Sequence, residues 1–378
     1  MNKNISVSIL CCTYNQKKYL KDALESMLKQ RTTFKYEIIV HDDASTDGTE
    51  DIVKKYQAEY PDIVKPIYEN INQYSQGKDF LKQIILHEAN GEYIALCEGD
   101  DFWIDEQKLE LQYKSLEEHP ECDMCACWGC TVSEDGHKEI SQIRPRFQNG
   151  ILKEEDIILE GGQYIVTAGL FFRKSMFCKI LEFEKNNSLD YEFQIKGGLR
   201  GGIYYLDRKM VAYRRYAQNS WTVNVLHNDK NLKMQWDFEK RMLRQLDIDT
   251  NGQYHTVIEK RLLRYTPFEE QLEDHKRDVF HVIRENPTQC YIWGLGRRGE
   301  SLEKFFYNNN IQVSGVCDAM NNQINMTTKY GNRIVSTDYV LTNAKTIFAS
   351  TKIAYDDLVK INFHGKLINF QQYMPLSP

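Results

Sequence analysis

Three carboxylates fall within four residues at Glu98-Gly99-Asp100-Asp101, directly after the apolar run Tyr93-Ile94-Ala95-Leu96-Cys97 and directly before Phe102-Trp103. Side chains of one sign packed this closely repel one another unless a cation sits among them. A hard divalent ion with oxygen ligands, Mn²⁺ or Mg²⁺, suits Glu98, Asp100 and Asp101, because it holds substrate phosphates instead of filling a closed protein cage. Taken alone, the quartet also reads as an acidic surface turn capping the next helix. Two further polar segments, Thr13-Tyr14-Asn15 and Asp42-Asp43, follow apolar runs in the same way.

The elements that must position these residues alternate from the start of the chain. Residues 7–12 form an apolar run that reads as a strand buried on both faces. Tyr19, Leu20, Ala23, Leu24, Met27 and Leu28 then recur at helical spacing. A second strand over 36–40 precedes a helix expected to open at Asp47, with Glu50 completing a capping box. Strands over 64–68 and 93–97 flank a helix marked by Phe80, Leu81, Ile84 and Ile85. Such alternation implies an α/β, doubly wound sheet that binds ligands at the carboxyl ends of its strands. All three polar segments fall at such ends.

The 378 residues exceed one ordinary core. The pattern divides into an α/β domain over 1–222, a charged helical connector over 223–286 and a small Rossmann-like α/β domain over 287–378. A net charge of −6 argues against nucleic acid as the main partner. No apolar run reaches the ~20 residues that span a bilayer, and the start of the chain carries no signal peptide, so a cytoplasmic location is expected. The ten cysteines fit reduced thiols in that compartment. Cys122, Cys125, Cys127 and Cys130 lie on a strand-like segment over 124–132 and just before it, which sends Cys125 and Cys127 to one face and Cys130 to the other. Zinc is the rival reading of that cluster.

Acidic pairs at neighbouring strand ends suit a nucleotide-sugar. A carboxylate at the second strand end can accept a hydrogen bond from base or ribose, while a cation at the fourth neutralises the leaving diphosphate. A general base must also take the acceptor's proton. Trp103 reads either as core or as an aromatic platform under the acceptor sugar.

Three ordered motifs carry a resemblance: residues 7–15, ending Thr13-Tyr14-Asn15; residues 37–49, containing His41-Asp42-Asp43-Ala44-Ser45; and Glu98-Gly99-Asp100-Asp101-Phe102-Trp103. Over residues 5–222 the chain resembles the inverting family 2 glycosyltransferases, which implies a GT-A fold with a doubly wound, mixed or parallel sheet. The resemblance implies that Thr13, Tyr14 and Asn15 line the nucleotide pocket and that Asp42 or Asp43 contacts uracil or ribose. Glu98, Gly99 and Asp100 stand at the family's D-x-D site, with Glu98 in place of the first aspartate. Lys82 falls near a basic residue that approaches the nucleotide. Asp190, in Leu189-Asp190-Tyr191-Glu192-Phe193, matches the family's base, with Glu192 in reserve and helix capping as the rival role. Tyr216 replaces a family histidine, leaving water, Arg214 or Arg215 to compensate, and Asn219-Ser220-Trp221 would form a lid. The donor implied is a UDP-sugar, the transferred group a hexosyl or N-acetylhexosaminyl unit, and the acceptor a glycan or lipid-linked saccharide of a bacterial surface polysaccharide. The rivals are a nucleotidyltransferase, which would want a basic phosphate loop that residues 13–16 lack, and a non-catalytic nucleotide-sugar-binding protein.

In the last segment Gly294, Gly296 and Gly299 lie between strand and helix, and Asp318 ends the next strand. This spacing fits a dinucleotide fingerprint. Packing module, nucleotide site and NAD site are the three readings. The basic amphipathic stretch 230–246 offers either an interdomain packing helix or a peripheral contact with an anionic membrane.

Overall fold

A computed structural model describes residues 5–76, 80–186, 189–218, 220, 229–266, 268–285, 289–318 and 324–370. The chain divides into two compact units, Met1–Arg261 and Leu262–Pro378.

In the first unit β1 (Ile5–Thr13), α1 (Leu20–Leu28), β2 (Lys35–Asp42), α2 (Thr49–Glu59), β3 (Val64–Tyr68), α3 (Phe80–His87) and β4 (Tyr93–Leu96) realise the alternation read from the sequence. Val7, Ile9 and Cys11 of β1, Ile38 and Val40 of β2, and Leu20, Leu24 and Met27 of α1 are fully buried in one apolar cluster. β1, β2 and β4 are covered on both faces over most of their length, so continuous apolar runs, not alternating ones, are their sequence signature, whereas the edge strand β3 ends exposed at Tyr68. α2 begins at Thr49, later than its expected start at Asp47. Gly48 takes a left-handed φ of 92°, and the Asp47 carboxylate accepts the Thr49 N–H at 2.9 Å. Glu50 pairs with Lys54 at 2.6 Å instead of closing a capping box.

The chain continues through β5 (Phe102–Trp103), α4 (Lys108–Glu118), β6 (Met124–Val132), β7 (Glu139–Ile143), β8 (Gly150–Leu152), α5 (Glu154–Glu160), β9 (Leu170–Arg173), α6 (Leu189–Gly198) and β10 (Ile203–Arg214). The sheet order is β3-β2-β1-β4-β9-β6-β10-β5, with β7 on β6 and β8 on β10. Strands β3, β2, β1 and β4 are mutually parallel, whereas β9 runs antiparallel to both β4 and β6. The sheet is therefore mixed. Cys125 and Cys127 enter the main core, while Cys130 packs with Val132 and Ala212 in a separate cluster.

α7 (Asp229–Asp249) and α8 (His255–Leu263) follow. Met242, Leu243 and Leu246 of α7 are fully buried, and Phe183 N–H donates to Asp249 at 2.9 Å. Covered by protein, these side chains cannot face lipid, which favours a packing role for this helix over a membrane contact. Among the described residues no helix is long and apolar enough to cross a membrane.

The second unit contains α9 (Phe268–Asp274), α10 (Lys276–Glu285), β11 (Cys290–Trp293), α11 (Arg297–Asn308), β12 (Gly315–Cys317), α12 (Thr337–Asn343), β13 (Thr346–Ala349), α13 (Lys352–Lys360) and β14 (Lys366–Asn369). Its four strands are all parallel, in the order β12-β11-β13-β14, around Ile292, Leu302, Phe306, Val316 and Phe348.

Candidate active site

The parallel pairing of β1 with β2 and β4 brings three strand ends to one edge, with Thr13 opposite Asp42. Asp43 N–H donates to Thr13 O at 3.0 Å, and Gly99 N–H donates to Cys12 O at 2.9 Å. Gly99 lies so close to β1 that a Cβ there would stand 2.5 Å from Gln16 Oε1 and 2.8 Å from Thr13 Oγ1. Only glycine lets the acidic turn rest on that strand end. Thr13 Oγ1, Gln16 Oε1 and Asp101 Oδ2 are buried without a hydrogen-bond partner in the protein.

Asp190 joins this turn from α6. After burial, its charge is the largest influence raising the Glu98 carboxyl well above the usual range, ahead of Asp100 and Asp101. Asp100 and Asp101 are raised as well, chiefly by burial, with the Asp100 charge adding to the effect on Asp101. Asp190 is exposed along its side chain, yet protein crowded around its carboxyl raises it too, against a Thr167 Oγ1–H bond of 2.8 Å to Oδ2. Thr167 sits in a short 3₁₀ turn, Thr167–Gly169, just before β9. Four carboxyls thus share one site whose ionised forms oppose each other.

Such a site favours a cation, and its fit can be judged from the donors. Among the described residues no three His, Cys, Asp or Glu side chains are arranged to hold a metal ion. Asp101 is fully buried and its Oδ1 accepts the Arg214 N–H at 3.0 Å. The expected trio of ligands is therefore corrected to Glu98 and Asp100. Two carboxylates still fit Mg²⁺ or Mn²⁺, which commonly takes one or two from the protein and the rest from phosphates and water.

Arg214 acts on this turn from behind. Only 2% exposed, it donates from Nη1 to Asp100 O at 2.7 Å and from Nη2 to Asp22 Oδ2, and its guanidinium lies over Phe102 and Tyr19 at 4.7 and 5.3 Å. It braces the acidic turn against α1, so direct nucleotide contact by Arg214 is corrected to support of Asp100. Arg215 is exposed and stacks over Tyr216, itself 52% exposed. Asn219 and Trp221, two of the three residues of the expected lid, lie outside the described residues.

The nucleotide-side candidates are knitted together. Asn15, at φ 51°, accepts the Thr46 N–H at 2.7 Å, and its own N–H reaches Ser45 Oγ at 2.9 Å. Asp42 accepts Ser45 N–H at 3.1 Å. Asp43 accepts the N–H groups of Gln73 and Tyr74 at 2.6 and 3.1 Å, so it anchors the loop after β3. Tyr14 stands exposed beside them. His41 is buried, stacked on Phe80.

Two expectations fail on burial. Trp103 is 4% exposed within the core, with Nε1–H donating to Ala168 O at 3.1 Å and Lys108 over its ring at 4.1 Å. A platform needs an open ring face, so its acceptor role is withdrawn. Lys82 is committed to an ion pair with Glu192 and to Glu184 O at 2.5 Å, with its side chain 5% exposed, so it does not serve the nucleotide. The sequence carries no local signal for Gln16, Thr167 or the Asp22–Arg214 pair.

In the second unit Gly294 takes φ 105° and a Cβ on Gly299 would lie 1.8 Å from Gly294 O, which explains both glycines. Gly296 faces open space. Asp318 Oδ2 accepts the Leu295 N–H at 2.7 Å, tying the end of β12 to the glycine turn.

Mixed-sheet topology and a carboxylate turn at the ends of β1, β2 and β4 define a GT-A-like α/β protein. Residues 8–181 match the family model described as glycosyl transferase family 2. The uncharacterized protein Rv1520 of Mycobacterium tuberculosis is 35% identical over 217 residues, 57% of this chain and 60% of its own length. EpsE of Bacillus subtilis, provisionally named a glycosyltransferase, is 39% identical over 120 residues, 32% of this chain and 41% of its own. The crystal structure of S. aureus TarS 1-349 in complex with UDP-GlcNAc superposes with a TM-score of 0.53 at 15% identity, covering 82% of this chain and 84% of that one. The likeness to TarS is one of fold.

Proposed function

We propose that this chain transfers a sugar from a nucleotide-sugar, foremost a UDP-sugar, to an acceptor hydroxyl with inversion at the anomeric carbon. The observation that carries the reading is the approach of Asp190 to Glu98, almost a hundred residues away in sequence, at the carboxyl edge of the sheet. Asp190 takes the acceptor's proton, with Thr167 holding one carboxylate oxygen and leaving the other for the hydroxyl. Its raised pKa, caused by the protein around its carboxyl, makes it a stronger base. Glu98 and Asp100 would hold a divalent ion, which supplies charge neutralisation for the leaving nucleoside diphosphate. Thr13, Tyr14, Asn15, Asp42 and Asp43 form the nucleotide side, and Gly99 lets the diphosphate end lie against β1.

The family match and the fold shared with a UDP-GlcNAc complex support a nucleotide-sugar donor. A glycan or lipid-linked acceptor, handled in the cytoplasm during surface-polysaccharide synthesis, fits the same reading. We assign the second unit as a Rossmann-like packing module: the Asp318 carboxylate that would meet a ribose is bound to its own glycine turn.

The test is nucleoside diphosphate release from a panel of nucleotide-sugars by the full chain and by Asp190→Asn. The variant should lose about 100-fold or more in kcat while still binding donor. Turnover undiminished in Asp190→Asn would move the base elsewhere. Donor binding without turnover in the native chain would favour a sensor.

A further inference from the structure

We propose that the buried Lys82–Glu192 ion pair sets the position of Asp190, which makes both of them positioning residues and leaves Glu192 no role as a second base. The inference rests on the assignment of Asp190 as the base. Glu192 stands two residues beyond Asp190 in α6 and is fully buried; Lys82 reaches it from α3. The Lys82 ammonium also donates to Glu184 O at 2.5 Å. One turn along α6, on the same face as Glu192, Lys196 donates to Glu184 Oε2 at 2.8 Å and to Lys179 O at 2.5 Å. Two cations and two anions are thus closed off from water and compensate one another. They join α3, the turn Glu182–Asn186 and α6.

α6 is also held by its neutral side chains. The Tyr191 hydroxyl donates to Ile158 O, and Gln194 Nε2 donates to Gly162 O and Ile165 O at 2.8 and 3.2 Å. Held from both directions, the helix presents Asp190 in its first turn at hydrogen-bond distance from Thr167.

A buried ion pair is a poor route to stability, because well-packed apolar residues of similar volume often do as well or better. What a buried pair can supply is a single arrangement among several packings of similar energy. Leucine against methionine would let α6 slide or turn by a fraction of a residue. A lysine that must meet one carboxylate and one carbonyl permits one register. The position matters because a displacement of about 1 Å can cost about 100-fold in rate.

The test uses full-length Lys82→Met/Glu192→Leu, which removes both charges together, alongside Lys82→Arg, which preserves the pair. In crystals of the double variant the Asp190 carboxylate should leave Thr167. With UDP-GlcNAc as probe, kcat for UDP release should fall about 100-fold while KM stays within about twofold, and the acid limb of its pH profile should move; Lys82→Arg should keep most of the rate. If the double variant does not fold, Glu192→Gln, close in shape, serves in its place with the same expected displacement. An Asp190–Thr167 contact still at 2.8 Å in the folded variant overturns the proposal, as does an unchanged kcat. Asp190→Asn separates the two failures. Should it be inactive while the double variant is fully active, only the positioning role falls; should it be active, the base assignment falls with it.

Discussion

At the scale of single residues, the proposed chemistry turns on one carboxylate and the hydroxyl that orients it. The Thr167 hydrogen bond stabilises ionised Asp190 and so lowers a pKa that its surroundings raise. Thr167→Val removes the lowering influence only. The folded-state pKa should then rise, the base should stay protonated to higher pH, and the acid limb of kcat should shift upward with it. A pH–rate profile of Thr167→Val with an unmoved acid limb would deny the hydroxyl this role. Glu98 and Asp100 stand out in the sequence because they lie in a short ordered motif, whereas Asp190 is marked only by the family resemblance. Thr167 does not stand out, since a threonine before a strand has no distinguishing pattern. The Asp22–Arg214 bond spans 192 residues, and nothing local announces it. Trp103 and Lys82 were misread because proximity to a motif says nothing about which way a side chain points.

At the scale of elements, the strands Val64–Tyr68, Met124–Val132, Cys290–Trp293 and Thr346–Ala349 carry the bounds that their apolar runs announce. The region after Trp103 was far less legible. β9 wedges antiparallel between β4 and β6, a placement set by tertiary packing and not by period. β10 breaks its own alternation with register shifts between Leu206 and Val211. α5 carries a cost invisible in sequence: Glu154 is 5% exposed, with neither carboxylate oxygen hydrogen-bonded. Burial raises its pKa well above the ordinary 4.5, so the folded chain binds this proton more tightly than the unfolded one. Stability from this group is full below pH 4.5 and is lost progressively as pH rises toward the folded value. Glu154→Gln should therefore raise the melting temperature at pH 8 by about 2–4 °C for each ~1 kcal/mol recovered, and do little at pH 4. Equal shifts at both pH values would show that ionisation of Glu154 is not the source.

At the scale of the whole molecule, the two units differ in build. The first concentrates its carboxylates at one sheet edge; the second uses its glycines to pack a turn onto a parallel sheet. The full chain should show no saturable thermal shift with NAD, and a shift that saturates would restore the dinucleotide reading of Gly294, Gly296 and Gly299. The central claim is that the acidic turn receives a nucleoside diphosphate with a divalent ion. Calorimetric titration of UDP, GDP, dTDP and CDP into the full chain, with and without Mn²⁺, tests it most directly. Binding should be strongest for UDP and tightened about tenfold or more by Mn²⁺, with that gain lost in Asp100→Asn. If none of the four binds in the presence of Mn²⁺, the account is contradicted.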